Sequence, residues 1–170
     1  MPAALLVIDM QNDYLYEKRK EQFSYRTQQL TDAVNALVHE YDAGGMDVIY
    51  IRHIIQNFPT NRLLFGYSID GTEGAELYSG LDVVSKYIFT KLFGDALTNR
   101  HLLELVRSKG YDELHLCGLD ECGCVTSTAL GCAKRGIPVK ILRRGTATVF
   151  PEAKVAKAHR RLEKAGVSYV

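Results

Sequence analysis

Three ionisable side chains in this 170-residue sequence are of types that can share one reaction: Asp9, Lys91 and Cys124. A free thiol, with a pKa of about 8.5, needs help to ionise at neutral pH. An aspartate can take its proton, and an ammonium can stabilise the thiolate and hold the aspartate. The thiolate then attacks a carbonyl and forms a thioester. The protonated aspartate donates to the leaving amine and later deprotonates the hydrolytic water. Taken singly, each residue has a plainer reading: a turn aspartate, a solvent-facing lysine, a packing cysteine. What favours the reaction is that each of the three ends or follows a predicted strand.

Those strands alternate with helices along the chain. Ala3 to Ile8 is an unbroken apolar run that stops at Asp9-Met10-Gln11-Asn12-Asp13, as a strand buried on both faces would. Thr27 to Tyr41 carries Leu30, Val34, Leu37, Val38 and Tyr41 at helical spacing, and Gly44-Gly45 ends it. Strands are predicted at Asp47 to Arg52, Tyr87 to Thr90 (ending at Lys91), Asp112 to Cys117, Pro138 to Leu142 and Val167 to Val170. Helices are predicted at Ala96 to Lys109, Cys124 to Arg135 and Glu152 to Ala165. His53 to Gly80 is a long connection, readable as a lid or as an interface. This pattern predicts one domain over residues 1–170: an α/β fold, three-layer α/β/α, doubly wound, with a mainly parallel six-stranded sheet. In such a sheet the carboxyl ends of the strands share one edge. Topology thus brings Asp9, Lys91 and Cys124 together where sequence spacing does not. Cys124 opens a helix, where the dipole and free N–H groups favour a thiolate. The backbone N–H groups of Asp120 and Cys124 are the expected oxyanion donors. Tyr14, His53, Phe58 and Glu121 are the expected pocket residues, with Glu121 suited to a cationic or hydrogen-bond-donating substrate.

The bulk composition narrows the function further. A formal net charge of +1, with 24% charged and 46% hydrophobic residues, excludes a basic nucleic-acid binder. No apolar run approaches the roughly 18 residues of a membrane span. There is no secretory-leader pattern, so a cytoplasmic location is expected. The four cysteines, Cys117, Cys122, Cys124 and Cys132, crowd one segment rather than framing a disulfide-stapled domain. Cys122-Gly123-Cys124 alone offers too few donors for a structural metal site, which takes about four. It leaves open a thiol redox reading.

Three blocks resemble the isochorismatase-like cysteine hydrolase superfamily, which includes nicotinamidases and N-carbamoylsarcosine amidase. They are Leu5-Leu6-Val7-Ile8-Asp9-Met10-Gln11-Asn12-Asp13-Tyr14, Lys91 with Asp95-Ala96-Leu97, and Gly118 through Ala129 with Cys124-Val125 and Thr128-Ala129. Gly71-Thr72 with Gly74-Ala75-Glu76 supports them. Lys86 competes with Lys91, but the helix contacts that follow suit Lys91. The resemblance implies an Asp-Lys-Cys triad and a cis peptide, here Leu119–Asp120. It also implies hydrolysis of an amide or ureido C–N bond in a small-molecule substrate. Self-association is expected from the resemblance and from the apolar, tyrosine-bearing loop Phe65 to Tyr78. Glu121 replaces a more usual threonine. The Asp-x-His of zinc-dependent nicotinamidases is absent beside His53, so no metal or other cofactor is expected. Another reading of the resemblance is a non-enzymatic binding or regulatory subunit.

Overall fold

The computed structural model describes residues 2–170. Its centre is β1 (Ala3–Ile8), and the rest of the sheet is laid on either side of it. A short helix α1 (Asn12–Leu15) follows, then α2 (Thr27–Ala43) and β2 (Asp47–His53). The long connection holds α3 (Pro59–Leu64) and a single 3₁₀ turn at Glu73–Ala75 before β3 (Ile88–Lys91). Then come α4 (Arg100–Lys109), β4 (Glu113–Gly118), α5 (Thr126–Lys134), β5 (Val139–Thr146), α6 (Glu152–Lys164) and β6 (Ser168–Tyr169). The sheet order is β3-β2-β1-β4-β5-β6, and every pairing is parallel. The chain thus winds outward from β1 through β2 to β3, then crosses back to β4. β1 and β4 flank the point where the winding reverses, which is where open α/β sheets form a crevice.

The unbroken apolar run in β1 has a simple cause. Leu6 and Ile8 face a core built with Leu102 and Val106 of α4, Ala129 and Cys132 of α5 and Leu162 of α6. Leu5 and Val7 face the opposite core, with Leu30, Val34, Leu37 and Val38 of α2. Both faces are dry, so neither parity of the strand can be polar.

Some boundaries differ from the sequence expectation for local reasons. The helix expected over Ala96 to Lys109 is interrupted at Asn99. Its Oδ1 accepts from the N–H groups of His101 (2.9 Å) and Leu102 (3.1 Å) and starts α4 afresh. The helix expected from Cys124 is a wide turn over Glu121–Val125, non-helical at Gly123, that leads into α5. β5 runs on to Thr146, past the expected Leu142, because Arg143 and Arg144 are exposed and break the apolar pattern without breaking the strand.

Buried thiols make this fold sensitive to alkali. Cys117 and Cys132 are both 0% exposed. Burial pushes the Cys117 thiol far up, and burial with the nearby Asp95 pushes Cys132 up to about 12. An unfolded thiol ionises near pH 8.5, so above that pH the unfolded chain loses protons that the folded chain keeps. Stability is complete below about pH 8.5 and falls by about 1.4 kcal/mol per pH unit per thiol as the pH rises toward the folded values. The melting temperature is expected to drop steadily from pH 8.5 to 10.5, with a shallower slope in Cys132→Ala. A flat profile would contradict this.

Candidate active site

Asp9 leaves β1 with φ 54°, in the left-handed region that a non-glycine residue seldom occupies. Its N–H donates to Ile51 O of β2 at 2.9 Å, which fixes the turn. The cost is on the order of 1 kcal/mol. On the other side of the crevice, Gly118 ends β4 with φ 102°. A Cβ there would stand 2.1 Å from Ile8 O, so only glycine lets the two strand ends close. Leu119 N–H then donates to Ile8 O at 2.8 Å. Lys91 is the last residue of β3 and lies opposite His53 in the ladder.

These turns bring the three separated residues to one point. Lys91 Nζ donates to Asp9 Oδ2 at 2.9 Å and to Cys124 Sγ at 3.0 Å. Lys91 is 2% exposed and Asp9 3%. Burial works against the ammonium, but the charge of Asp9 and contact with Cys124 outweigh it and hold Lys91 above its ordinary value. Asp9 Oδ1 is buried and takes no hydrogen bond among the described residues. It is therefore an acceptor still available for a proton.

The electrostatics of Cys124 differ from the expected resting thiolate. Burial and the facing Asp9 charge push the thiol up to about 12, against the pull of Lys91. The helix-terminus argument fails for a geometric reason: Cys124 lies in the wide turn, two residues before α5 begins. These shifts favour the thiol form of Cys124 beside the Lys91 ammonium.

The three residues stand at a cavity of about 370 Å³, lined by Asp9 and Cys124 and walled largely by aromatic rings. The rings of Tyr14 and Phe23 meet edge to face at 4.8 Å, and Phe23 meets Tyr67 at 5.0 Å. Tyr25, Val149 and Phe150 complete that wall. Of the expected pocket residues, Tyr14 and His53 line this cavity; Phe58 and Glu121 do not. Phe58 caps α3 out on the surface, 53% exposed. Glu121 turns toward the end of the sheet, where it accepts from His159 Nε2 (2.9 Å) and Thr146 Oγ1 (3.1 Å). Burial raises its carboxyl, but bonds from Tyr169, His159 and Thr146 outweigh burial and hold it below its ordinary value. It is committed to β5, β6 and α6 and cannot set substrate polarity. Burial, with Lys91 nearby, pushes His53 down, so its ring is neutral at pH 7.

Sequence reading missed Phe23, Tyr25, Tyr67, Val149 and Phe150. Phe23 and Tyr25 follow a charged stretch that reads as solvent-exposed, yet they carry a signal: aromatic residues spaced by two just before a helix. Arg19 makes them part of the wall by folding the segment back, donating to the carbonyls of Phe23 (2.7 Å), Tyr16 (2.9 Å) and Tyr25 (3.3 Å). Buried Gln11 does the same for the long connection. Its side chain bridges His53 N–H (2.7 Å), His53 O (2.9 Å) and Ala75 O (2.8 Å).

The expected cis bond at Leu119–Asp120 is not present. No peptide bond among the described residues is cis, and the reversal is made by the positive φ of Gly118 followed by extended Asp120 (φ −79°, ψ 141°). The turn after it is closed by its own bonds: Glu121 N–H to Ala147 O (2.9 Å), Cys122 N–H to Asp120 Oδ1 (2.9 Å), and Gly123 and Val125 N–H to Asp120 O (3.0 and 3.1 Å). None of these bonds uses the N–H of Asp120 or of Cys124. Cys122 is buried away from the cavity. Among the described residues, no three His, Cys, Asp or Glu side chains gather as a metal site would require, so the side chains around His53 do not fit a zinc ion. No described helix is long and apolar enough to cross a membrane.

Known proteins share this architecture. The nicotinamidase PncA from Bacillus subtilis has a crystal structure that superposes with a TM-score of 0.84 at 25% identity, covering 100% of this chain and 99% of that one. N-carbamoylsarcosine amidase from Thermoplasma acidophilum shares the fold, with a TM-score of 0.81 at 19% identity, covering 99% and 95%. In sequence, the chain is 28% identical to a probable inactive nicotinamidase of Arabidopsis thaliana, over 90% of this chain and 84% of that protein. The family model described as the isochorismatase domain matches residues 3–170. A match over almost the whole length settles the relationship: the chain belongs to the isochorismatase domain family.

Proposed function

We propose that this protein is a cysteine hydrolase that cleaves a non-peptide C–N bond, of amide or ureido type, in a small molecule. The observation that carries the reading is the Lys91 ammonium, bonded at once to Asp9 and Cys124 beside the cavity. Family membership and the likeness to a nicotinamidase support a hydrolase of the amidase type acting on C–N bonds other than peptide bonds.

In this mechanism Asp9 takes the thiol proton as Sγ attacks the substrate carbonyl, so a free thiolate need not accumulate. Lys91 stays protonated throughout, holds Asp9 and Cys124 together, and steadies the sulfur as its proton leaves and the charge passes from the carboxylate to the carbonyl oxygen. The N–H groups of Asp120 and Cys124 receive the oxyanion. Asp9, now carrying the proton, donates it to the departing nitrogen as the C–N bond breaks, leaving a thioester on Cys124. Asp9 next takes a proton from water, the resulting hydroxyl displaces sulfur, and the thiol recovers its proton. The cavity lining includes no arginine and no lysine, and His53 is neutral. Lys91, the cation beside the cavity, is already paired with Asp9, so the walls favour an uncharged, flat molecule packed against the rings.

The test is ammonia release from a panel of amides, ureides and carbamoyl amino acids. Cys124→Ala is expected to lower the rate on any accepted substrate by about a thousandfold or more. Unchanged release by that variant would refute the reading.

A further inference from the structure

Asp120 has a second feature that the proposed mechanism does not use, its side chain. The carboxylate collects four hydrogen bonds from three segments. Oδ1 accepts from Cys122 N–H (2.9 Å) and Thr148 Oγ1 (2.8 Å), and Oδ2 accepts from Tyr25 OH (2.9 Å) and Val149 N–H (3.0 Å). Tyr25 and Val149 are walls of the cavity, and Cys122 belongs to the turn that carries Cys124. The same residue's carbonyl accepts from Gly123 and Val125. The turn is therefore wrapped around Asp120 from both ends of the residue, and its outside is bolted to the loop after β5.

We propose that the Asp120 carboxylate is a positioning residue that holds the oxyanion-binding turn in its reactive shape. This rests on the hydrolase reading above, in which the N–H groups of Asp120 and Cys124 receive the oxyanion. The aim of those two groups comes from the bonds around Asp120. Each carboxylate oxygen takes one backbone N–H and one hydroxyl. A hydroxyl can rotate and adapt, but a backbone N–H can only donate. Asparagine at this position fails in either orientation, because its NH₂ must face the N–H of Cys122 or that of Val149. One side of the clamp opens while the shape of the side chain stays the same.

The experiment compares two reactions of the same sulfur. Iodoacetamide alkylates Cys124 by displacement at carbon, forms no oxyanion, and reports only access and ionisation of the thiol. Acylation by 4-nitrophenyl acetate passes through an oxyanion. Asp120→Asn is expected to slow Cys124-dependent acylation by about 10- to 100-fold, the scale of a misplaced oxyanion donor, and to leave the alkylation pH profile in place. Thr148→Val removes one hydroxyl and no backbone donor, so a smaller loss of acylation is expected, again with alkylation unmoved. This second variant keeps the test open if Asp120→Asn folds poorly. Active wild-type protein with undiminished acylation in both variants would overturn the inference alone. Acylation and alkylation falling in parallel with the melting temperature would reduce Asp120 to a structural residue and overturn it too. Wild-type protein without Cys124-dependent acylation would remove the hydrolase reading and this inference with it.

Discussion

Asp9→Asn is expected to stop turnover while making Cys124 easier to alkylate. The two effects have opposite signs because Asp9 has two opposed influences on the sulfur. As the base of the proposed mechanism it takes the proton during attack, and loss of such a base costs about 10²- to 10⁴-fold in rate. As a fixed charge it disfavours the thiolate, and with burial it pushes Cys124 up to about 12. Asparagine removes the charge and leaves Lys91 bonded to sulfur, so the thiol value falls and the thiolate fraction at pH 8 rises about tenfold for each unit of fall. Iodoacetamide labelling against pH, read beside ammonia release, checks both halves. Faster labelling with lost turnover supports Asp9 as the proton acceptor. Slower labelling would mean that Asp9 stabilises the thiolate, and the mechanism would have to be redrawn.

Lys91→Met is expected to damage the fold as well as the chemistry. It keeps the length of the side chain and removes the cation that, among the described residues, is bonded to Asp9. Both partners are almost fully buried, so the carboxylate is left without compensation, at a cost of about 3–5 kcal/mol. Denaturant unfolding of the single variants and of the Asp9→Asn/Lys91→Met double variant measures this. The double variant buries no charge at this point and should be more stable than Lys91→Met alone. If the effects simply add, the pair is not coupled and the buried ion pair is energetically idle. Alkylation of Cys124 should also slow in Lys91→Met, because the group that favours the thiolate has gone. The two variants thus move the sulfur in opposite directions, and a surface effect would not.

The alternation of apolar runs and helical stripes was enough to predict the parallel sheet. β1 is apolar at both parities because helices cover both of its faces, and that pattern is visible in six consecutive residues. Asp9, Lys91 and Cys124 were legible for a related reason: a residue that ends a strand in a parallel sheet must lie on the shared edge. What strand ends cannot reveal is the sign of a local field. The expected thiolate at Cys124 rested on a helix terminus, but the bend at Gly123 places the sulfur in a buried turn facing a carboxylate. Glu121 shows the same limit. Three residues from Cys124 in sequence, it is bonded to His159 of α6 and takes no part in the cavity wall.

The sequence by itself determined the strand order's raw material, the three ionisable side chains at strand ends and the family they resemble, since these follow from residue type and period. Only the tertiary structure decided the cavity walls and the direction in which the thiol's pKa moves. Phe23, Tyr25, Tyr67, Val149 and Phe150 come from three separate loops, whose backbones carry no period. The loops that carry them are held by a local fold-back on Arg19 and by long-range bonds to Gln11 and Asp120. A pKa depends on burial and on charges a few ångströms away, and neither quantity exists until the chain has folded.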